Sequence, residues 1–299
     1  MMKNGKLTSQ ELAKLLKIKK LNQRVIVGCE VGEDAAVMDF RENYCVLATD
    51  PITGVRKHIG KFAFHVNCND IIASGGKPVA LLVTILAPSN STLNEIHEVM
   101  DEIYCEAEKY GVDIIGGHTE FTDAVNQLIV SCTAIGESPK KILPLSKNFK
   151  KGDIIYVTKT LGIEWTLIKI LDEYEAVKSV LSENEYLEGL RLIDNLTVIP
   201  EGEILSNYAV SSMHDITEGG VMGALGEMFQ ESLLNFEVYE ENFNMLEITK
   251  KLIEYYSEKI ETVISSGSLI FMCSEQQGYE IEKAFNHANI KLTAIGIVI

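Results

Sequence analysis

The sequence predicts an α+β protein of two αβ domains, and three observations carry that expectation. The chain has 299 residues, enough for about two domains of roughly 150 residues each. Short β-branched runs alternate with helical patterns in both halves. Between the halves, SPKKILPLSKNFKKGD at 138–153 places two prolines and a cluster of lysines. The expected domains are 1–145 and 146–299.

The elements follow in order. A helix capped by Thr8 or Ser9, with Glu11 in its first turn, precedes strands at Arg24 to Val27, Ala35 to Phe40 and Tyr44 to Thr49. Ile59 to Ser74 has helical spacing, and Pro78 ends it. VALLVTILAP reads as a strand buried on both faces, followed by an amphipathic helix from Thr92 to Tyr110. VDIIGG is a strand ending in glycines, and NQLIVSCTAIGE is another strand. In the second half DIIYVTK opens a strand. Helices are expected at 163–176, 183–195, 215–231 and 246–259, with terminal strands SLIFMCS and LTAIGIVI.

Composition narrows the function. Asp and Glu number 43 against 27 Lys and Arg, a net charge of -16, which repels nucleic-acid backbones. No apolar run is long enough for a membrane span, and the N-terminal stretch lacks signal-peptide character, so the expectation is a cytoplasmic protein. The six cysteines never fall within four residues of one another, which excludes CxxC and zinc-knuckle spacings. Neither GxxxxGK[ST] nor a GxGxxG after a strand is present.

Acidic residues recur where strands end or helices begin: Glu33 and Asp34 in VGEDAAV, Asp50 in LATDPITG, Asp70 in HVNCNDIIASGG and Asp215 in HDITEGG. Singly, each reads as a cap or turn residue. Converged, they form an oxygen-rich cluster suited to Mg²⁺ holding substrate phosphates. Two unit charges about 4 Å apart at an effective dielectric near 20 interact by about 4 kcal/mol, so carboxylates can face a triphosphate only through cations. On the 59–74 helix Asn67, Asp70 and Ser74 make a polar stripe, and Lys61 either reaches a phosphate or is solvated. Gly116 and Gly117, followed by His118 and Thr119, form either a binding loop or a plain bend. Gly219 and Gly220 open a helix that either receives an anion or packs on a sheet. His214, beside Asp215, is either a base or a turn histidine.

Taken in order, GEDAAV, TDPITG, CNDIIASGGKP, GGHTE and DITEGG resemble the aminoimidazole ribonucleotide (AIR) synthetase-like superfamily over most of the chain, from about Gly28 to about Glu227. That superfamily includes AIR synthetase, formylglycinamidine ribonucleotide synthetase, selenophosphate synthetase, thiamine monophosphate kinase and HypE-type hydrogenase maturation proteins. The resemblance implies two αβ domains, the first pairing with its twin in a homodimer to form a β-barrel, with ATP and Mg²⁺ bound beside it. It implies metal-bridging roles for Glu33, Asp34, Asp50, Asp70 and Asp215. It places Thr49, Lys61, Asn69, Gly116, Gly117, His118, Thr119, Gly219 and Gly220 near the nucleotide, with His118, His214 and Asp215 as catalytic candidates.

The chain also departs from these relatives. His118 stands where the kinase and AIR synthetase branches look acidic, and Glu218 replaces the Arg of the HypE-type DPTRGG. The sequence ends in AIGIVI rather than the HypE-type terminal cysteine, and Cys29 sits beside a strand rather than in the Gly-rich segment that selenophosphate synthetases use. The pattern is most similar to a HypE-related branch without the cysteine tail. The expected function is an ATP-using, Mg²⁺-dependent enzyme that phosphorylates a small molecule or a partner-protein group, or dehydrates it through phosphorylation. The alternatives are a nucleotide-binding assembly protein without turnover and thiamine monophosphate kinase.

Overall fold

The computed structural model describes residues 23–28, 33–139, 143–230 and 232–299; the expected helix after Thr8 and Cys29 lie outside them. The first half builds a six-stranded sheet from β1 (Val25–Val27), β2 (Ala36–Asp39), β3 (Asn43–Ile52), β4 (Lys77–Pro88), β5 (Asp113–Thr122) and β6 (Ile129–Pro139). Its order is β1-β2-β3-β6-β4-β5. Only β4 and β5 pair in parallel, because α2 (Leu93–Tyr110) carries the chain back between them. Thr92 and Glu95 close a capping box at the start of α2, and Gly111 in left-handed conformation ends it.

Helices α1 (Ile59–Ala73) and α2 cover one face of this sheet, where Leu81, Val83, Ile85, Val130 and Cys132 are buried. The other face is open. Leu82 is 38% exposed, so β4 is buried on one side only, and the two-sided expectation is corrected. The glycines of β5 also differ from expectation: the strand runs through Gly116 and Gly117 to Thr122, so there is no turn there. A Cβ on Gly117 would lie 1.8 Å from the Val83 carbonyl oxygen, which makes that glycine a condition of β4–β5 packing.

The second half builds an antiparallel five-stranded sheet, ordered β8-β10-β7-β11-β9, from β7 (Ile154–Thr158), β8 (Ser212–Asp215), β9 (Phe236–Val238), β10 (Leu269–Cys273) and β11 (Leu292–Val298). Its helices are α3 (Ile163–Asp172), α4 (Tyr174–Val177), α5 (Glu183–Leu190), α6 (Ile199–Leu205), α7 (Gly220–Phe229), α8 (Glu247–Tyr256) and α9 (Glu275–His287). The expected 163–176 helix breaks at Glu173, and the 183–195 helix ends in a 3₁₀ turn, Arg191–Asn195. The helix expected from 215 starts at Gly220, since 212–215 is strand. Every residue of β10 is buried: Phe271 and Cys273 face one apolar cluster, Ile270 and Met272 the other.

One of those clusters runs through both halves, joining Phe62, Phe64 and Ile71 of α1 to Leu167, Leu196 and Phe271. Polar side chains pin the seam. Asn69 Nδ2 donates to the Leu196 carbonyl (2.8 Å) and its Oδ1 accepts from the Val198 N–H (2.9 Å). Lys159 Nζ donates to the carbonyls of Thr197 and Gly267 (both 2.6 Å) and pairs with Glu201 Oε1 at 2.6 Å. Burial pulls the Lys159 pKa below its ordinary value, against the opposing charge of Glu201. Removing one partner of a buried pair strands the other, so Glu201→Ala is expected to cost about 3–5 kcal/mol in urea unfolding. The Lys159→Met, Glu201→Met double variant should recover a large share of that loss, because neither charge is then left uncompensated.

Candidate functional site

The segment entering the second half brings the first half's acids to the edge of β8. Met213 N–H donates to the Pro144 carbonyl (3.0 Å) and Ser212 Oγ to the Ser146 carbonyl (2.6 Å). Ser146 N–H in turn donates to Glu33 Oε2 at 3.4 Å, and Lys147 Nζ lies 4.0 Å from Glu33 Oε1. Asp34, next in sequence, therefore meets the end of β8. His214 Nε2 stands 3.0 Å from Asp34 Oδ1 and 3.5 Å from Glu227 Oε2 on α7. His214 Nδ1 donates to the Asp215 carbonyl at 2.6 Å and lies 3.6 Å from Asp215 Oδ1.

Asp34, His214 and Asp215 offer ligand atoms that all lie within 4.8 Å of one another. Burial alone would push the His214 pKa down, but the Asp34 charge and hydrogen bonds to Asp215, Asp34 and Glu227 hold it well above the usual histidine value. The surrounding acids thus favour the charged form of His214, whose ring stands between Asp34 and Asp215. Asp215 Oδ2 is buried without a hydrogen-bond partner. An orphaned carboxylate oxygen beside a second carboxylate and an imidazole nitrogen, whose proton an entering ion would displace, is a donor set that fits a divalent cation.

The remaining sequence candidates fall into two groups. Asp50 and Asp70 stand outside that trio. Asn67 clamps the Asp50 backbone, accepting its N–H at 2.8 Å and donating to its carbonyl at 3.2 Å, so the polar stripe on α1 fixes the strand that carries Asp50. Asp70 is buried one turn further along α1. On the open face of the first sheet, Thr133 Oγ1 donates to Thr49 Oγ1 (3.0 Å), and His118 Nε2 pairs with Glu120 Oε2 (3.1 Å), with Thr119 next in β5 on the opposite face.

Two expected nucleotide contacts are occupied elsewhere. Lys61 pairs with buried Glu106 (3.3 Å) and with Asp194 (3.8 Å). The Asn69 amide is fully buried in the seam described above. In this structure an ion pair engages Lys61 and two backbone bonds engage the buried Asn69 amide. Gly219 and Gly220 open α7 at positive φ, and a Cβ on Gly220 would lie 2.7 Å from the Glu261 carbonyl oxygen, which supports the packing reading at that position. A cavity of about 400 Å³ lies apart from the acids, walled by Ile72, Pro144, Leu205, Tyr208 and Met213; none of the trio lines it.

Sequence reasoning missed Glu227 and Glu164. Glu227 lies seven residues into the helix that DITEGG opens, two turns along the face that looks back at β8, a spacing that was readable. Glu164 had no motif to flag it. It sits in the first turn of α3, 6% exposed, with Oε2 lacking a hydrogen-bond partner. Burial first, then the charges of Glu218 and Asp215, push its pKa up to about 7, with Ser266 opposing.

The comparisons with known proteins agree with this layout. Residues 32–138 match the AIR synthase related protein N-terminal domain, and residues 150–299 match its C-terminal domain. The chain belongs to the AIR synthase related family and has its two-domain fold. It is 24% identical over 276 residues to a putative hydrogenase expression/formation protein of Methanocaldococcus jannaschii, covering 89% of this chain and 80% of the relative. It is 27% identical over 283 residues to the thiamine-monophosphate kinase of Bacillus subtilis, covering 90% and 84%. Among solved structures, the hydrogenase maturation protein HypE in complex with ATP superposes with a TM-score of 0.70 at 18% identity, covering 96% of this chain and 81% of that one. Among the described residues no helix is long and apolar enough to cross a membrane.

The raised Glu164 pKa has a thermodynamic consequence. A carboxyl at about 7 when folded and 4.5 when unfolded binds its proton more tightly in the native state between those values, so stability falls as pH rises through that window. The loss is ~3 kcal/mol by pH 8. Glu164→Gln is expected to match the parent at pH 4, to exceed it at pH 8 by about that amount, and to flatten the profile between, as read by urea midpoints across pH.

Proposed function

We propose that the chain is a Mg²⁺-dependent, ATP-using enzyme of the HypE-related branch, one that phosphorylates, or dehydrates through phosphorylation, a small molecule or a group on a partner protein. The observation that carries this reading is the meeting of Asp34 from the first half with His214 and Asp215 from the second. Mg²⁺, when bound, would neutralise the nucleotide's phosphates and hold the transferred group in line. Asp34 and Asp215 would hold the ion, with Glu33, Asp50 and Asp70 as further carboxylates nearby and His214 giving up its counter-charge role as the ion enters. Thr49 and His118, on the open sheet face, would lie toward the nucleotide, with Thr119 next in β5 on the opposite face. A HypE of the same fold was solved with ATP, which supports the choice of nucleotide.

Asp34→Asn is expected to weaken binding of Mg²⁺ with a non-hydrolysable ATP analogue at least tenfold by calorimetry, measured at a urea concentration and temperature where the variant remains folded. Equal titration curves for parent and variant, or binding indifferent to Mg²⁺, would remove the assignment. Binding without ATP hydrolysis across candidate acceptors would favour an assembly protein that holds nucleotide without turnover. The 27% likeness to thiamine-monophosphate kinase makes thiamine phosphate the first acceptor to try, and absence of a phosphorylated product would exclude that branch.

A homodimer is part of the same proposal. The open face of the first sheet carries Leu82, and the edge strand β5 carries Ile115 (57% exposed) and Phe121 (46%). A second copy laid across them would close the two sheets into a barrel and cover this apolar surface. Leu82→Glu is expected to convert a dimer to a monomer in sedimentation; a monomeric parent would overturn this part.

A further inference from the structure

His214 brings a nitrogen to the acid site, and its ring is held in one orientation. It lies on β8, paired across the sheet with Ile270 of β10, and is 3% exposed. The Nδ1–H donates to the Asp215 carbonyl at 2.6 Å, which fixes the ring and turns Nε2 the other way. Nε2 then faces two carboxylates from different parts of the chain: Asp34 Oδ1 of the first half at 3.0 Å and Glu227 Oε2 of α7 at 3.5 Å. A backbone carbonyl on one ring nitrogen, with the other aimed among carboxylates, is how proteins orient an imidazole toward a metal.

A single proton on Nε2 can be directed at one carboxylate, whereas two stand within reach. Asp215 Oδ2, moreover, is buried without a hydrogen-bond partner. A shared cation would satisfy all of them. Donor atoms about 2.1 Å from one ion lie about 3.0 Å apart at right angles and about 3.4 Å apart at the tetrahedral angle. The two Nε2 distances, 3.0 and 3.5 Å, match those edges, and ligand atoms of Asp34, His214 and Asp215 all lie within 4.8 Å of one another. The donor set then selects the ion. Mg²⁺ takes oxygen ligands and keeps several of its waters. Here one donor is an imidazole nitrogen, and the burial of His214 (3% exposed) and Asp215 (2%) restricts water. Imidazole among carboxylates suits first-row transition ions better.

We infer that His214 Nε2 is a direct metal ligand, with Asp34, Asp215 and Glu227 as its carboxylate companions, and that the site prefers a first-row transition ion such as Mn²⁺ to Mg²⁺. The inference rests on the reading of the acid trio as the place of the ion that meets the nucleotide, and it changes which ion the trio favours. The Nε2–H bond gives way to a nitrogen–metal bond, and the proton leaves to solvent. His214 thus sets metal specificity, and Glu227, on α7, completes the site.

Pulsed electron paramagnetic resonance of the full chain loaded with Mn²⁺ reads the ligand directly, because a bound imidazole nitrogen couples to the electron spin. The expected result is nitrogen coupling in the parent and in the exposed-surface control His287→Gln, and its loss in His214→Gln. Calorimetry with the metal alone reads the preference. Mn²⁺ is expected to bind the parent at least tenfold more tightly than Mg²⁺. His214→Gln, which offers an amide oxygen in place of the nitrogen, should lower that ratio at least fivefold, while Glu227→Gln weakens both ions and keeps the coupling. No Mn²⁺ binding to the parent, Mn²⁺ bound there without nitrogen coupling, coupling that survives in His214→Gln or vanishes in His287→Gln, or equal losses for both ions in His214→Gln would each overturn the assignment. The parent's own spectrum decides the matter even if His214→Gln does not fold. Titration with the non-hydrolysable ATP analogue separates the two readings. Nucleotide bound in the presence of either ion, with no nitrogen coupling, removes the His214 ligand and leaves the enzyme reading. Nitrogen coupling without nucleotide binding removes the enzyme reading and leaves the metal site standing.

Discussion

The structure depends on the seam at residues 195–201, where one strip of backbone is gripped from both sides. Asn69 reaches it from the first half and Lys159 from the second, and Glu201 supplies the counter-charge. A buried amide with both ends bonded and a buried ammonium with three oxygen partners hold one geometry or none, because any slip leaves a polar group unpaired at a cost of about 1–3 kcal/mol each. The joined halves are the frame in which the 144–147 segment, bonded to β8 and to Glu33, sets Asp34 beside His214. The acid site is therefore a product of how the halves join, and neither half contains it alone.

The same dependence explains what the sequence could and could not disclose. Strands and helices with their own periodicity were legible: α2 announced itself through Thr92, Glu95 and Gly111, and β10 through an unbroken apolar run. The meeting of Asp34 with Asp215 was legible only through their shared chemistry and the family's motif order, since 181 residues separate them, counted from their positions in the sequence. Where one residue type serves two ends, reading failed. Asn69 and Lys61 carry the polar side chains expected of a nucleotide site, but their nearest partners satisfy them inside the fold. Gly116 and Gly117 look like a loop, but they lie within β5, and the missing side chain of Gly117 admits the backbone of the neighbouring strand at Val83. Glu164 was invisible because nothing in a linear sequence marks a carboxyl as desolvated.

The distribution of charge completes the account. A net charge of -16 spread evenly would only repel anionic substrates. Around the site it is organised: His214 is held protonated by Asp34, Asp215 and Glu227, while Glu164 is pushed toward neutrality by burial and by the same acids' neighbours. Both shifts favour the protonated forms, so the buried groups around the site carry less net negative charge than their residue count implies.

The seam also bears on how the chain is made. Asn69 finds its partner at Leu196, 127 positions downstream. While the ribosome is still adding those residues, the finished α1 helix has its sheet on one side and nothing to cover Ile72, the side chain that packs on Gly202, on the other. A nascent first half is thus a sticky intermediate, held back from completion by synthesis itself, and the cell must shelter it until the second half arrives.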